Sequence, residues 1–313
     1  MKKQLISVLI PAYNEEECLH ELYKRVSDVL SKLEKYDYEI LIINDGSKDK
    51  TLEILRDLNT KDKHLQYVNL ARNYGKEIAM AAGLDYVKGD VVVILDADLQ
   101  IPPEYIPEML SYYEEGYDDV YGRRKSRNDE SFFKRLGTKI YYKALQSLTR
   151  VDILKNTSDF RLLSRRAVEA LKQYKEQRRY TKGLFALIGF KKKEFIYEPV
   201  KRYAGKSKWN YFSLINLAIE GITSFSTFPL RLSSFLGIIV ATIGFIYILF
   251  LILKTIIFGE PVRGYPTLLS IIVFLGGIQL LSLGVIGEYL GRIFDEVKNR
   301  PLYFIEKYSG DEK

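Results

Sequence analysis

The 313-residue chain is poor in several of the side chains that carry metal and redox chemistry: one cysteine, two histidines, one tryptophan and three methionines. A lone Cys18 excludes an intrachain disulfide and fits a reducing compartment. His20 and His64 fall in ordinary helical and pre-strand contexts, so neither reads as an acid or base. Internal repeats, low-complexity tracts and coiled-coil heptads are also missing. The N-terminus begins Met1-Lys2-Lys3, but the apolar run from Leu5 stops at Pro11, before Glu15-Glu16-Glu17, which is no signal-peptide pattern. Charge is absent from two stretches, Leu232 to Leu253 and Tyr265 to Gly287. At a rise of ~1.5 Å per residue, each is long enough as a helix to cross a hydrocarbon core of ~30 Å.

What is present is a charged front and an apolar tail, a division hidden by a mean hydropathy of −0.11. Net charge is +7 and the isoelectric point about 9.1. The basic residues crowd the ends of the apolar stretches: Lys191-Lys192-Lys193, Lys201, Arg202, Lys206 and Lys208 before the first, and Arg292, Lys298 and Arg300 after the second. The connecting loop holds only Glu260 and Arg263 between the uncharged cores, with Lys254 at the first one's edge. That placement follows the positive-inside rule and argues for a lipid bilayer, not nucleic acid, as the partner of the positive charge. The expected topology is a multi-pass protein of the cytoplasmic membrane with both termini in the cytoplasm.

Short apolar runs alternate with amphipathic ones through the front half. Ile6 to Ile10, Glu39 to Ile43, Gln66 to Leu70 and Val91 to Leu95 read as strands, with helices over Glu15–Leu33, Lys50–Asn59 and Glu77–Val87. The spacing predicts βαβ units in an α/β, mostly parallel sheet, with ligands beyond the carboxyl ends of its strands. Polar clusters fall at three of those ends: Tyr13-Asn14-Glu15, Asn44-Asp45-Gly46-Ser47 and Asp96-Ala97-Asp98. Basic and aromatic residues interleave from Ser131 to Leu148, and an interrupted apolar segment runs from Tyr211 to Phe228; both are candidates for helices at a membrane surface. The expected organisation is a cytosolic catalytic domain over 1–210, an interfacial region over 211–230, two transmembrane helices over 231–292 and a cytoplasmic tail over 293–313.

In an extended segment, Asp96, Asp98 and Gln100 would project to one side and offer hard oxygen donors suited to Mg²⁺ or Mn²⁺. The competing reading is a solvated loop whose aspartate caps the helix after Pro102-Pro103. Asn44-Asp45-Gly46-Ser47 is a strong turn signal, and such a turn would also place a carboxylate where it can accept hydrogen bonds from a base or ribose. Pro11 ends the first strand, and its missing N–H could simply stop pairing there.

These pieces in this order resemble the glycosyltransferase family 2 enzymes of GT-A, Rossmann-like fold, and among them the polyprenyl-phosphate glycosyltransferases with two C-terminal spans. The resemblance covers nearly the whole chain. It implies that Pro11, Tyr13, Glu15 and Asp45 line a nucleotide pocket, with Asp96 shared between nucleotide and metal. Asp96, Asp98 and Gln100 match the family's metal-binding motif. Gly122-Arg123-Arg124 and a basic helix carrying Lys134, Arg135 and Lys139 match its acceptor-phosphate site, with the three basic residues competing for one role. Asp159, in Thr157-Ser158-Asp159-Phe160-Arg161, matches the acidic active-site residue, as base or as positioning group. Arg202 to Lys208 matches a loop that closes over the donor diphosphate.

The implied reaction is inverting transfer of one sugar from a nucleotide-sugar donor, UDP-glucose or a related UDP-sugar, to undecaprenyl or another polyprenyl phosphate. The processive signature Gln-x-x-Arg-Trp is missing, which fits a single transfer. A homo-oligomer such as a tetramer is implied by the family, and Gly276-Gly277, Gly284, Gly287 and Gly291 would allow close helix packing. Two other readings stay open: a transferase acting on a lipid hydroxyl such as that of diacylglycerol, and a non-catalytic membrane adaptor on a degenerate nucleotide fold.

Overall fold

The computed structural model describes residues 3–125, 157–198, 200, 223, 226–258 and 264–311. Its centre is an eight-stranded sheet of order β7-β5-β6-β4-β1-β2-β3-β8. Strands β1 (Gln4–Ala12), β2 (Tyr36–Asn44), β3 (Leu65–Leu70) and β4 (Val91–Ile94) are mutually parallel, joined by α1 (Leu19–Leu30), α2 (Thr51–Lys61) and α3 (Lys76–Tyr86). All four runs predicted as strands form. Their apolar continuity follows from burial on both faces, as parallel sheets require.

Alternate residues feed two cores. Ile6, Val8, Ile10, Ile40 and Ile42 pack with α1, α2 and α4 (Ile106–Glu114) on one face. Leu9, Leu41, Ile43 and Val92 pack on the other face with α3, α5 (Arg165–Lys172) and α6 (Thr181–Leu187). Helix α3 lies so close to β1 that a Cβ on Gly83 would sit 2.1 Å from a Leu9 methyl.

The far half of the sheet reverses direction. β6 (Thr157–Ser164) runs antiparallel to both β4 and β5 (Asp119–Arg124), and β7 (Lys192–Tyr197) runs parallel to β5. A buried ion pair pins this half: Arg161 Nη1 sits 2.7 Å from Asp119 Oδ2, under the Phe185 ring.

Two long helices follow, α7 (Phe228–Phe258) and α8 (Tyr265–Val297). Each is long and apolar enough to cross a membrane, and the qualifying windows, Phe228–Tyr247 and Phe274–Val297, are unburied. Phe250, Leu280 and Leu281 are among the large apolar side chains that these helices expose. The chain then returns to the sheet. β8 (Ile305–Tyr308) pairs antiparallel with β3, so part of the 293–313 tail is an edge strand of the sheet. Most of the two predicted surface-helix regions lies outside the described residues.

Candidate active site

Sequence and topology put the polar turns at one edge of the sheet. After β1, Asn14 takes a left-handed φ of +53°. Its side chain accepts the Lys48 N–H at 2.8 Å, while its own N–H donates to Ser47 Oγ at 2.9 Å. Glu15 and Glu16 donate their N–H groups to Thr51 Oγ1 and Asp49 Oδ2. A turn in which Cys18 and Leu19 both return their N–H groups to the Glu15 carbonyl precedes α1, which starts at Leu19 instead of the expected Glu15. Pro11 is the penultimate residue of β1, and Tyr13 and Glu15 are half-buried on this knitted loop.

Asp45 follows β2 and is 3 % exposed. Its carboxylate accepts the backbone N–H of Tyr74 at 2.7 Å and of Gly75 at 2.9 Å. Burial pushes the Asp45 carboxyl up, against the pull of those two donors. Gly46, at φ +62°, lets the Arg72–Asn73 backbone come so near that a Cβ there would lie 2.4 Å from the Arg72 carbonyl carbon. The Asp-Gly turn thus fixes the approach to α3, and α3 opens with Lys76.

Lys76 is the residue that sequence reasoning missed. Its Nζ lies 2.6 Å from Asp96 Oδ1 and 2.6 Å from Asp159 Oδ2. Sheet pairing explains the meeting: Ile94, the last residue of β4, pairs with Arg161 of β6, which brings the turn after β4 beside the strand that carries Asp159. Burial alone would lower the Lys76 ammonium, but the two carboxylates hold it well above the usual lysine range. Burial would likewise raise Asp159, yet Lys76, Lys182 and Arg161 hold it well below the usual carboxylate range. Asp96 is pushed up by burial and by its acidic neighbours Asp159 and Asp98, with Lys76 pulling the other way. Asp159 Oδ1 is buried with no hydrogen-bond partner among the described residues. A lysine directly after an Asn-Tyr-Gly lead-in looks like any helix start; only the sheet pairing reveals its partners.

One expectation is corrected here. Asp96 to Gln100 is not extended, because β4 ends at Ile94 and Leu99 turns left-handed at φ +56°. Strand alternation therefore does not align Gln100 with the two aspartates. Gln100 is exposed; its N–H donates to Asp98 Oδ1 at 3.1 Å, and its carbonyl accepts the Val200 N–H at 3.0 Å. Among the described residues no three His, Cys, Asp or Glu side chains converge to hold a metal. Asp96 and Asp98 still fit a hard divalent ion of the Mg²⁺ kind, which takes one or two carboxylates and completes its shell with substrate phosphates and water.

Arg123 lies on β5, on the other side of β6 from β4, paired in register with Thr157. Its guanidinium is 2.9 Å from Glu194, and its Nε is buried without a partner among the described residues. Arg135, Lys139, Lys134, Arg202 and Lys208 lie outside the described residues. Val200 lies beside Gln100, its N–H donating to the Gln100 carbonyl after the Asp96–Asp98 turn.

Residues 7–172 match the glycosyl transferase family 2 profile, and residues 228–293 match the GtrB C-terminal hairpin. An uncharacterized glycosyltransferase of Synechocystis is 48 % identical over 305 residues, covering 97 % of this chain and 96 % of its own. A bactoprenol glucosyl transferase of Shigella phage SfII is 45 % identical over 302 residues, covering 96 % of this chain and 97 % of its own. Among solved structures, a Pyrobaculum calidifontis mannosyltransferase in complex with GDP-Man and Mn²⁺ superposes with a TM-score of 0.47 at 17 % identity, over 68 % of this chain and 60 % of that one.

Proposed function

The chain belongs to glycosyltransferase family 2, and from that premise we propose that it transfers one sugar from a nucleoside-diphosphate sugar to a polyprenyl phosphate at the cytosolic face of a membrane. The observation that carries this reading is the Lys76 ammonium held between Asp96 and Asp159 at the sheet's carboxyl edge, in a chain that continues into two apolar helices. The name borne by the phage relative, bactoprenol glucosyl transferase, supports the lipid acceptor and favours glucose as the sugar. UDP-glucose is the donor we propose.

The bond that breaks joins the anomeric carbon to the donor's β-phosphate oxygen; the bond that forms joins that carbon to an acceptor phosphate oxygen. One displacement from the opposite face inverts the anomeric centre, and the nucleoside diphosphate leaves with the electron pair. A phosphate monoester has a second pKa of about 6, so the acceptor arrives largely ionised and needs little help from a base. Asp159, kept ionised by Lys76, therefore positions the acceptor more readily than it takes its residual proton. The larger difficulty is bringing a phosphate dianion beside a carboxylate, and Lys76 offsets that repulsion at 2.6 Å. Asp45 holds Lys76 in place through Gly75, so its part in nucleotide binding is joined to a part in positioning.

Pro11, Tyr13, Glu15 and Asp96 would flank the nucleotide; Arg123, with Arg135 or Lys139, would receive the acceptor phosphate; Arg202 and Lys208 would close over the diphosphate. A divalent ion, Mg²⁺ or Mn²⁺, would be held by Asp96 and Asp98 and would neutralise charge on the departing diphosphate. The domain limits of 1–210, 211–230, 231–292 and 293–313 stand as part of this proposal, with 305–311 joined to the catalytic sheet.

A donor screen tests it: the purified full chain in lipid nanodiscs, UDP- and GDP-sugars, and either undecaprenyl phosphate or diacylglycerol, read by mass. The expected product is one hexose on the lipid phosphate, lost on chelation. Product on diacylglycerol alone, or none beside a working control enzyme, would overturn the acceptor assignment.

A further inference from the structure

Between α5 and α6 the segment Gln177 to Thr181 touches two distant parts of the molecule within five residues. One end grips the last turns of α8. Arg178 Nε donates to Asp295 Oδ2 at 3.0 Å, and its Nη1 lies 3.4 Å from Glu288 Oε1. Glu288 and Asp295 are seven residues apart, hence two turns along one stripe of the helix, with Arg292 bonded to Glu288 between them. Gln177 adds its N–H to Glu296 Oε1 at 2.8 Å and its side-chain amide to the Arg300 carbonyl at 2.5 Å. These polar residues lie beyond Gly287, where the uncharged part of the helix ends.

The other end reaches the candidate active site. Thr181 donates its N–H to Glu77 Oε2 at 3.0 Å, and its hydroxyl donates to the same oxygen. Glu77 is the neighbour of Lys76 in the first turn of α3, where Ile78 and Ala79 both return their N–H groups to the Gly75 carbonyl. The link between the two ends is stiff. Arg179 and Tyr180 are buried, and Arg179 Nη1 donates to the Tyr174 carbonyl at 2.5 Å. Three residue steps span at most about 11 Å, so a shift of α8 at Arg178 has little slack in which to dissipate before Thr181.

We infer that Arg178 is a positioning residue: by tying the stripe Glu288–Asp295 of the second apolar helix to Thr181 and Glu77, it sets Lys76 between Asp96 and Asp159. The seating of the hairpin then governs the geometry of the transfer site, although Arg178 touches no reacting group. This rests on the transferase reading for its consequence but not for its geometry.

The test uses the full chain in nanodiscs of phosphatidylglycerol and phosphatidylethanolamine, with amide exchange at Ile78 and Ala79 read beside transfer kinetics. Arg178→Ala is expected to speed exchange at those two amides about fivefold, the scale of one half-exposed ion pair. It is expected to lower kcat about tenfold, since a small misplacement of a positioned group is costly, with donor KM little changed. Asp295→Asn removes the same contact from the helix side and should act alike, and Arg178→Asp combined with Asp295→Arg should restore both readouts. A merely structural contact would lower the melting temperature without the kcat split. Wild-type exchange at Ile78 and Ala79 in both single variants would overturn the inference. If the wild-type chain transfers no sugar, the exchange result still decides this point and only the transferase reading fails.

Discussion

Removing the Lys76 ammonium would leave Asp96 and Asp159 facing each other at the sheet edge with no shared counter-charge. Lys76→Met should lower sugar transfer about 100-fold, the usual size of a lost transition-state charge contact, while circular dichroism stays that of the wild type because the side chain is partly exposed. Gly46 carries a different load. A methyl there meets the Arg72–Asn73 backbone at 2.4–2.8 Å from a left-handed position, so Gly46→Ala should destabilise by at least the ~1–3 kcal/mol of a strained backbone site, read by thermal unfolding. Much of this site was legible at the level of single residues. Asp45, Asp96, Asp98 and Asp159 each stood at a strand end or in a recognisable motif. Lys76 was not legible, because its meaning depends on the pairing of β4 with β6, which no local pattern encodes.

The buried Arg161–Asp119 pair staples the antiparallel half of the sheet, at 3 % and 0 % side-chain exposure. Breaking it by Asp119→Ala strands a guanidinium under Phe185 and should cost about 3–5 kcal/mol, measured by denaturant unfolding. Nearby, Asp118 accepts from Arg166 and Ser164. The Arg166 hydrogen bond, opposed by burial, holds its carboxyl below the usual range. A depressed carboxylate stabilises the fold above its unfolded pKa of about 3.9 and loses that contribution as pH falls through the folded value. Arg166→Ala should therefore reduce stability at neutral pH and leave it nearly unchanged at low pH, where Asp118 is protonated in both proteins. The alternating elements of the front half were readable from apolar spacing. Strand β8 was not: it has four residues, follows a long helix, and exists because β3 presents an unpaired edge where Asn69 donates to Glu306.

Chain connectivity ties the whole molecule together. The sheet supplies β7 before the hairpin and β8 after it, so both ends of the α7–α8 hairpin belong to one body. We propose that the hairpin enters the bilayer and returns to the same side, in accord with the distribution of lysine and arginine. In a Cys18→Ser background, a cysteine at Gly264 should label only from the face opposite the catalytic domain, and one at Lys298 only from the catalytic face. Labelling of both positions from one side would refute a two-span hairpin.

We place sugar transfer to a polyprenyl phosphate where Lys76 joins Asp96 and Asp159, beside Asp98. That placement is tested most directly by the initial rate of lipid-linked sugar formation from UDP-glucose and undecaprenyl phosphate, comparing wild type, Lys76→Met and Asp98→Ala in the same nanodiscs. The wild type should give product, Asp98→Ala none and Lys76→Met about one per cent, with all three folded. Wild-type rates from either variant would place the chemistry elsewhere.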